Sequence, residues 1–376
     1  LRLRLEASGH RFQTAGDTEV LVHLYEDEGI GFLDHLVGMF SLALWDSRQR
    51  RLVLARDRLG QKPLVYRQEP GRVLFASEIK SILQVPGMSR TVAASAIAEY
   101  LLYQYVPHPN TIFPGIRKLP PAHYALFYDG QLTVKRYWQW NRSDVTPTQR
   151  FNNEAAAADQ LQTALSEAVR IRLRSDVPLG VFLSGGVDSS VIAALTQQQA
   201  GRRVRTFAMG FTEPEYDETS HARQVAQYLG TDHTELCTDP AGVEVLPKLV
   251  WHFVEPFADS SAIPTFLLAQ ATRDHVKVAL SGDGGDELFL GYDRYRAMAW
   301  GEAFDRWPRP IRALAVSPWW QRIPVPGRQK SLARRVQRLA EVLGQTATLR
   351  YAELVGIFNE QRRGALYHED LIAHLT

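Results

Sequence analysis

The stretch Ser184-Gly185-Gly186-Val187-Asp188-Ser189-Ser190 sets three hydroxyls, two adjacent glycines and one carboxylate side by side. Glycines let main-chain N–H groups close around an anion, and a helix opening directly behind them adds the favourable end of its dipole. The hydroxyls supply further donors, and Asp188 offers the hard oxygen that a magnesium ion on bound phosphates requires. No lysine lies in the stretch, so it is not the Gly-Lys-Ser/Thr pattern of Walker loops. A plain strand-to-helix turn capped by serines is the competing explanation, but glycines, hydroxyls and an acid all fall where a phosphate cradle needs them. A second stretch, Ser281-Gly282-Asp283-Gly284-Gly285-Asp286-Glu287, is richer still in glycine and acid. In isolation it would pass for a solvated turn; its place directly after the apolar run Val276–Leu280 argues for a site.

The elements needed to hold these loops are present in the sequence. Val177 to Leu183 is an almost continuous apolar run, as in strands buried on both faces of a parallel sheet. A helix is predicted behind it with Val187, Val191, Ala194 and Leu195 on one stripe. Val204–Phe211, Thr234–Cys237 and Val276–Leu280 are the next strands. Ala222, Val225, Ala226 and Leu229 mark an intervening helix that Gly230 stops. Strand–helix alternation of this kind predicts a doubly wound parallel α/β domain, followed from Arg294 by a helical part broken by prolines. Before Phe151 the pattern differs. Met39–Trp45, Leu52–Ala55, Leu64–Tyr66 and Val73–Ala76 are short runs between turn clusters, and Tyr124–Trp138 reads as a hairpin turning at Asp129-Gly130, together an antiparallel α+β arrangement. Leu1, Leu3 and Leu5 alternate with arginines and suggest a short strand. Residues 144–147 read as a linker.

The chain of 376 residues is long enough for two or three domains of the usual ~100–200 residues. Its 43 Lys+Arg against 41 Asp+Glu give a net charge of +2, which provides no basic excess for nucleic acid. No apolar run reaches the ~18 residues of a membrane span. One cysteine, Cys237, cannot form an internal disulfide, and points to a reducing, cytoplasmic setting. It lies on an expected strand, where it reads as a small core residue and not a nucleophile. The isolated histidines His221 and His233 read as surface or capping groups. The chain starts at Leu1 and stops at Thr376 directly after a helix-like stretch, and both ends are expected to be cuts through a longer polypeptide.

With these motifs in hand, the chain resembles the glutamine-hydrolysing asparagine synthetases. Ser-Gly-Gly-x-Asp-Ser-Ser resembles the pyrophosphate loop of ATP pyrophosphatases. Ser281–Glu287, running into Leu288-Phe289 and Gly291-Tyr292, looks like the family's second signature. Gly16-Asp17-Thr18-Glu19-Val20, Arg56-Asp57-Arg58-Leu59-Gly60-Gln61-Lys62-Pro63-Leu64 and Ser77-Glu78-Ile79-Lys80 resemble its amino-terminal glutaminase domain. The resemblance runs in the family's order from Leu1 to about Tyr295.

It implies a partial amino-terminal-nucleophile glutaminase sandwich over 1–143 and an ATP-pyrophosphatase domain over 150–376, the first without its nucleophile segment and the second incomplete at its carboxyl end. The implied activity is ATP-dependent amidation of aspartate through a β-aspartyl-AMP intermediate, with ammonia from glutamine and release of AMP and pyrophosphate. ATP is implied to bind at Leu183, Ser184, Gly185, Gly186, Asp188, Ser189, Ser190, Met209, Ser281 and Gly282. Asp188 and Asp286 are the implied magnesium ligands. Asp283 stands where many members carry the glutamate linked to forming the acyl-adenylate, and is the implied catalytic acid. Asp17 sits where the family binds the glutamine α-amino group. Asp259-Ser260-Ser261 falls in a family-like segment near the acceptor pocket. The amino-terminal cysteine and the Asn-Gly oxyanion hole have no counterpart here, nor do the later Val-Pro-Phe/Leu-Leu-Asp stretch and catalytic lysine. The chain itself is therefore expected to bind nucleotide with little turnover and not to hydrolyse glutamine. Expected partners are aspartate, glutamine or ammonia, and ATP, with no nucleic acid or membrane; a homodimer is compatible with the family. The alternatives are an amidotransferase acting on a sugar acid or a β-lactam precursor, and a non-catalytic nucleotide-binding regulator.

Overall fold

In the computed structural model, which describes residues 1–140, 151, 153–210, 217–237, 242–317, 339–340, 342–358 and 360–368, the turn clusters of the first part close hairpins. The expected linker at 144–147 lies outside the described residues. The chain divides into two units: Leu1–Gln149 with Val254–Phe257 and Arg362–Thr376, and Arg150–Phe253 with Ala258–Gln361.

The first unit opens with helices α1 (Arg2–Ala7) and α2 (Asp17–Glu28). Strands β1 (Ser41–Asp46), β2 (Arg51–Arg56), β3 (Val65–Glu69), β4 (Arg72–Ala76), β5 (Arg117–Lys118), β6 (His123–Tyr128) and β7 (Gln131–Arg136) follow, with helices α3 (Ile79–Ile82) and α4 (Ala94–Tyr103) before β5. They form two antiparallel sheets, β1-β2-β6-β7 and β4-β3-β5. Strand β2 is buried on both sides because successive side chains alternate. Val53 and Ala55 pack with Leu5, Leu24, Phe32 and Leu33, while Leu54 packs with Tyr66, Leu119 and Ala125. This is the expected sandwich, with α1 and α2 over one face of the first sheet and the second sheet over the other.

The alternating leucines at the start are a helix, not a strand. Leu5 N–H donates to Leu1 O, Leu5 is buried, and Leu3 points out at 81% exposure. A run that short carries too few periods to separate alternation from a single helical turn.

The Arg56–Lys62 motif is a tight loop held by its own charges. The buried Asp57 carboxylate accepts N–H groups of Leu59, Gln61 and Lys62 at 3.2, 2.9 and 2.9 Å. The Arg56 guanidinium donates to the carbonyls of Gly60, Lys62 and Leu119.

The second unit alternates strand and helix. Helix α5 (Glu154–Arg172) starts where the Asn153 side chain accepts Ala156 N–H at 2.8 Å. Then come β8 (Leu179–Phe182), α6 (Val187–Gln199), β9 (Arg205–Gly210), α7 (Thr219–Leu229), β10 (Asp232–Cys237), α8 (Gly242–Phe253), α9 (Ala262–Thr272), β11 (Val278–Leu280), α10 (Gly285–Phe289), α11 (Asp293–Asp305) and α12 (Arg309–Ala315). The strands form a wholly parallel sheet in the order β10-β9-β8-β11. Helices α6 and α7 pack on one face through Ala193, Ala222 and Ala226 against Val181, Leu183 and Ala208. Phe207 faces the other way, its ring 5.5 Å from that of His275 just past α9. A Cβ on Gly180 would stand 2.7 Å from the Phe207 ring, which is why glycine interrupts this strand.

The predicted stripe on α6 is corrected. Ser189, Ala193, Leu195 and Thr196 are buried, whereas Val187 is 79% exposed. The first turn of this helix spends its inward position on a hydroxyl that serves the loop before it.

Candidate active site

Strands β8, β9 and β10 are laid down side by side in one direction, and β11 then returns to the free edge of β8. The reversal of strand order makes β8/β11 the switch point of the sheet, and ligands of open α/β sheets bind at the carboxyl ends of strands there. Both glycine-rich loops leave those two carboxyl ends: Leu183–Gly186 follows β8, and Ser281–Gly284 follows β11.

The first loop is ordered by its own serines. Leu183 is buried and donates its N–H to Phe207 O at 2.8 Å, fixing the loop's root on β9. Ser184 and Ser189 hydroxyls lie 2.9 Å apart, Ser184 N–H reaches Ser189 Oγ at 3.3 Å, and Gly186 N–H reaches Ser184 Oγ at 3.3 Å. Gly185 holds φ at +84°, and a Cβ there would stand 2.6 Å from Ala222 N and 2.6 Å from His221 Cβ. The loop therefore lies flat on the amino-terminal end of α7. Ser190 N–H donates to Gly186 O at 3.0 Å, while its hydroxyl is shielded and makes no hydrogen bond to any described group.

The second loop closes onto the first. A Cβ on Gly282 would stand 2.7 Å from Ser189 N, and one on Gly285 would collide with the Asp188 carboxylate. The structure thus brings together Ser184, Gly185, Gly186, Asp188, Ser189 and Ser190 with Ser281, Gly282 and Gly285. Asp283 is exposed, its carboxylate accepting the Ser281 hydroxyl at 2.9 Å. Asp286 is half-buried, and its carboxylate lies against Gly291. Met209 is half-buried next to last on β9. Asp17 belongs to the first unit, where it is exposed at the first position of α2. Asp259 accepts Ser261 N–H at 2.8 Å in the turn that leads into α9.

Two residues of the second signature, Glu287 and Tyr292, complete the acidic end, joined by Arg294, which the motif reading did not include. Tyr292 donates its hydroxyl to Glu287 Oε1 at 2.8 Å, and Arg294 stacks 3.7 Å above the Tyr292 ring. That hydrogen bond, reinforced by burial and by the charges of Glu287 and Asp286, pushes the Tyr292 phenol up to about 12. Two aromatic residues flanking an arginine a few positions past an acidic turn were the available signal. His233, expected to be a surface or capping group, is not on the open surface. It is half-buried, its Nδ1 lies 2.9 Å from Thr206 Oγ1, and burial holds its basicity below the ordinary histidine value. An open cavity of about 440 Å³ runs along α7 and is lined by Arg203, Arg223, Gln227, His233 and Glu235. Arg223 there is committed to Glu235, in two bonds of 2.7 and 2.6 Å.

The Asparagine synthase family profile matches residues 160–371, more than half of the chain. The chain belongs to the asparagine synthase family. The Glutamine amidotransferase domain profile matches residues 1–138. Asparagine synthetase [glutamine-hydrolyzing] 1 of Bacillus subtilis (strain 168) is 36% identical over 318 residues, 84% of this chain and 49% of that protein. A putative asparagine synthetase [glutamine-hydrolyzing] of Mycobacterium tuberculosis (strain ATCC 25618 / H37Rv) is 36% identical over 335 residues, 87% of this chain and 50% of that one. Amidase chyE of Penicillium rubens is 30% identical over 354 residues, 89% and 50% of the two chains. The chain spans about half the length of these curated relatives. Among the described residues, no helix is long and apolar enough to cross a membrane.

Proposed function

We propose that the second unit carries the ATP-cleaving site of a glutamine-dependent asparagine synthetase, and that residues 1–143 form the partnered glutaminase domain, with Asp17 for the glutamine α-amino group. One observation carries this reading: Gly282 and Gly285 fit against Ser189 and Asp188 at the switch point of the sheet. Two anion-seeking loops closed on one another offer hydroxyls and main-chain N–H groups to a single polyphosphate and carboxylates to its counter-cation.

In this reading Leu183 and Met209 contact the adenosine, Ser184, Gly185, Gly186, Ser189 and Ser190 hold the β and γ phosphates, and Ser281 and Gly282 complete the pocket. The half-buried carboxylates of Asp188 and Asp286 suit a hard, oxygen-seeking cation, and Mg²⁺ held by them would neutralise charge on the pyrophosphate. A β-carboxylate oxygen of aspartate attacks the α-phosphorus of ATP, and the bond to the β-phosphate oxygen breaks with release of pyrophosphate. Ammonia then attacks the acyl carbon, AMP leaves with the electron pair of the C–O bond, and the nitrogen loses a proton. Positioning and charge stabilisation supply most of the rate in such phosphoryl chemistry, which is what this loop geometry offers. In the same reading Asp283, exposed beside Ser281, acts on the acceptor side. The near-neutral chain and its single cysteine support small-molecule substrates and a cytoplasmic setting.

The test is product stoichiometry with the full-length polypeptide. Aspartate, ATP, Mg²⁺ and ammonia should yield asparagine, AMP and pyrophosphate in equal amounts. Formation of ADP and phosphate, or cleavage that ignores aspartate, would overturn the reading.

A further inference from the structure

Helix α2 carries more than Asp17. Its His23 and Glu26 lie one turn apart on a shared face, and the connection from α1 lays His10 against them. His10 Nδ1 and His23 Nδ1 are 3.0 Å apart. Glu26 Oε2 stands 3.3 Å from His23 Nδ1 and 4.0 Å from His10 Nδ1. Among the described residues this is the one group of His, Cys, Asp and Glu whose ligand atoms all lie within 4.8 Å of one another. The spacings bracket the ~3.3 Å between donors of a tetrahedral ion with bonds of about 2.0–2.1 Å.

The partners behind the rings point the same way. Asp27 Oδ1 lies 2.9 Å from His10 Nε2. An ionised carboxylate only accepts, so Asp27 pairs with the His10 tautomer that carries its proton on Nε2 and leaves the Nδ1 lone pair for a metal. Behind His23, Glu19 Oε1 stands 3.8 Å from Nε2, itself anchored by N–H groups of Gln13 and Thr14 at 2.7 Å. A carboxylate hydrogen-bonded behind an imidazole, as Asp27 is behind His10, orients histidines that ligate metals. The two imidazoles are largely shielded, with 17% of each side chain exposed, while Glu26 at 48% leaves one side open to a water ligand.

We propose that His10, His23 and Glu26 bind Zn²⁺ and thereby pin the segment before α2 onto that helix. Two nitrogen donors select a borderline ion of this kind over Mg²⁺ or Ca²⁺, whose sites are built of oxygens.

The experiment titrates the chain, without a histidine tag and freed of metal by chelation, with Zn²⁺ by calorimetry and with Co²⁺ by visible absorption. Stoichiometric Zn²⁺ binding, a raised thermal midpoint and the absorption of a tetrahedral Co²⁺ site are expected. His23→Gln and Glu26→Gln should remove these signals. Asp27→Asn, which deletes no ligand, should weaken Zn²⁺ binding roughly 10–100-fold by removing the negative charge that orients His10 and raises its basicity. Circular dichroism checks that each variant is folded, and Asp27→Asn decides the matter should His23→Gln unfold. Unchanged affinity in folded His23→Gln or Asp27→Asn, or binding that vanishes in Cys237→Ser instead, overturns the proposal.

Discussion

Gly282 runs so close to the main chain of Ser189 that a Cβ on it would stand 2.7 Å from the Ser189 amide nitrogen and 3.0 Å from the Asp188 carbonyl carbon. These obstacles are backbone atoms at a helix start, so neither can swing aside. Gly282→Ala must push the second loop off the first, at the ~1–3 kcal/mol typical of overpacking. Affinity for Mg²⁺·ATP, measured by equilibrium dialysis, should fall about tenfold or more. Binding equal to the parent chain would show that the two loops need not touch to hold nucleotide.

Gly185 and Gly186 are neighbours with opposite tolerances. Gly185 sits at φ +84° with Ala222 N in the path of a Cβ, whereas Gly186 has a helix-entry conformation and meets only the Ser184 hydroxyl, at 3.4 Å. Gly185→Ala should lower unfolding stability by roughly 1–3 kcal/mol, from backbone strain and overpacking together. Gly186→Ala should stay within about 0.5 kcal/mol, as a substitution with room around it does. Urea unfolding of the two variants, compared at unchanged m-value, reads this directly.

Asp57 is a structural charge, and its removal should be felt as such. Its buried carboxylate satisfies three main-chain N–H groups. In Asp57→Asn one oxygen becomes an amide that donates, leaving at least one N–H facing another donor, at a cost of about 1–3 kcal/mol. Denaturant melts should report that loss; a neutral outcome would mean the loop is held chiefly by Arg56.

What could be read from the sequence depended on the range of the interaction. Asp129-Gly130 and the run before it announced β6 and β7, and the buried run before Ser184 announced β8, because turn chemistry and hydrophobic period are local. The anion loop was legible for the same reason. The two-residue β5 carries no period and exists through its pairing with Val65 and Tyr66, so it was invisible. On α6 the valines suggested the wrong face, since Ser189 turns inward to bond Ser184 and Gly186. The contact of Gly285 with Asp188 was beyond local reading altogether, for it depends on β11 pairing with β8 about a hundred residues earlier. Only the family resemblance had set those two motifs in one site.

Tyr137 gives the first unit a pH dependence of predictable sign. Its hydroxyl donates to Arg56 O at 2.9 Å, and burial, with the charge of Asp57, pushes the phenol up to about 12 from 10.0. A raised pKa means the protonated form is the one folding favours. Its contribution is complete below pH 10 and is lost as pH rises through 12. The stability difference between the parent chain and Tyr137→Phe, about 0.5–1.5 kcal/mol for the hydrogen bond, should therefore be flat up to pH 10 and shrink above it. A difference that grows with alkaline pH would contradict the assignment.

Asp188 and Asp283 should separate binding from turnover. Asp188 is half-buried with its carboxylate pressed on Gly285, inside the joined loops, whereas Asp283 is exposed and, among the described residues, its carboxylate is bonded to the Ser281 hydroxyl at 2.9 Å. If Asp188 holds the cation on the nucleotide, Asp188→Asn removes a charge-assisted contact worth about 1.5–3 kcal/mol, so Mg²⁺·ATP affinity should drop on the order of 10–100-fold. Asp283→Ala should leave that affinity within about threefold, as a surface change does. In the full-length polypeptide it should lower aspartate-dependent pyrophosphate release while the KM for ATP stays put. Losses of equal size in both binding and turnover for the two variants would mean that both carboxylates face the phosphates, and the acceptor-side role of Asp283 would have to be abandoned.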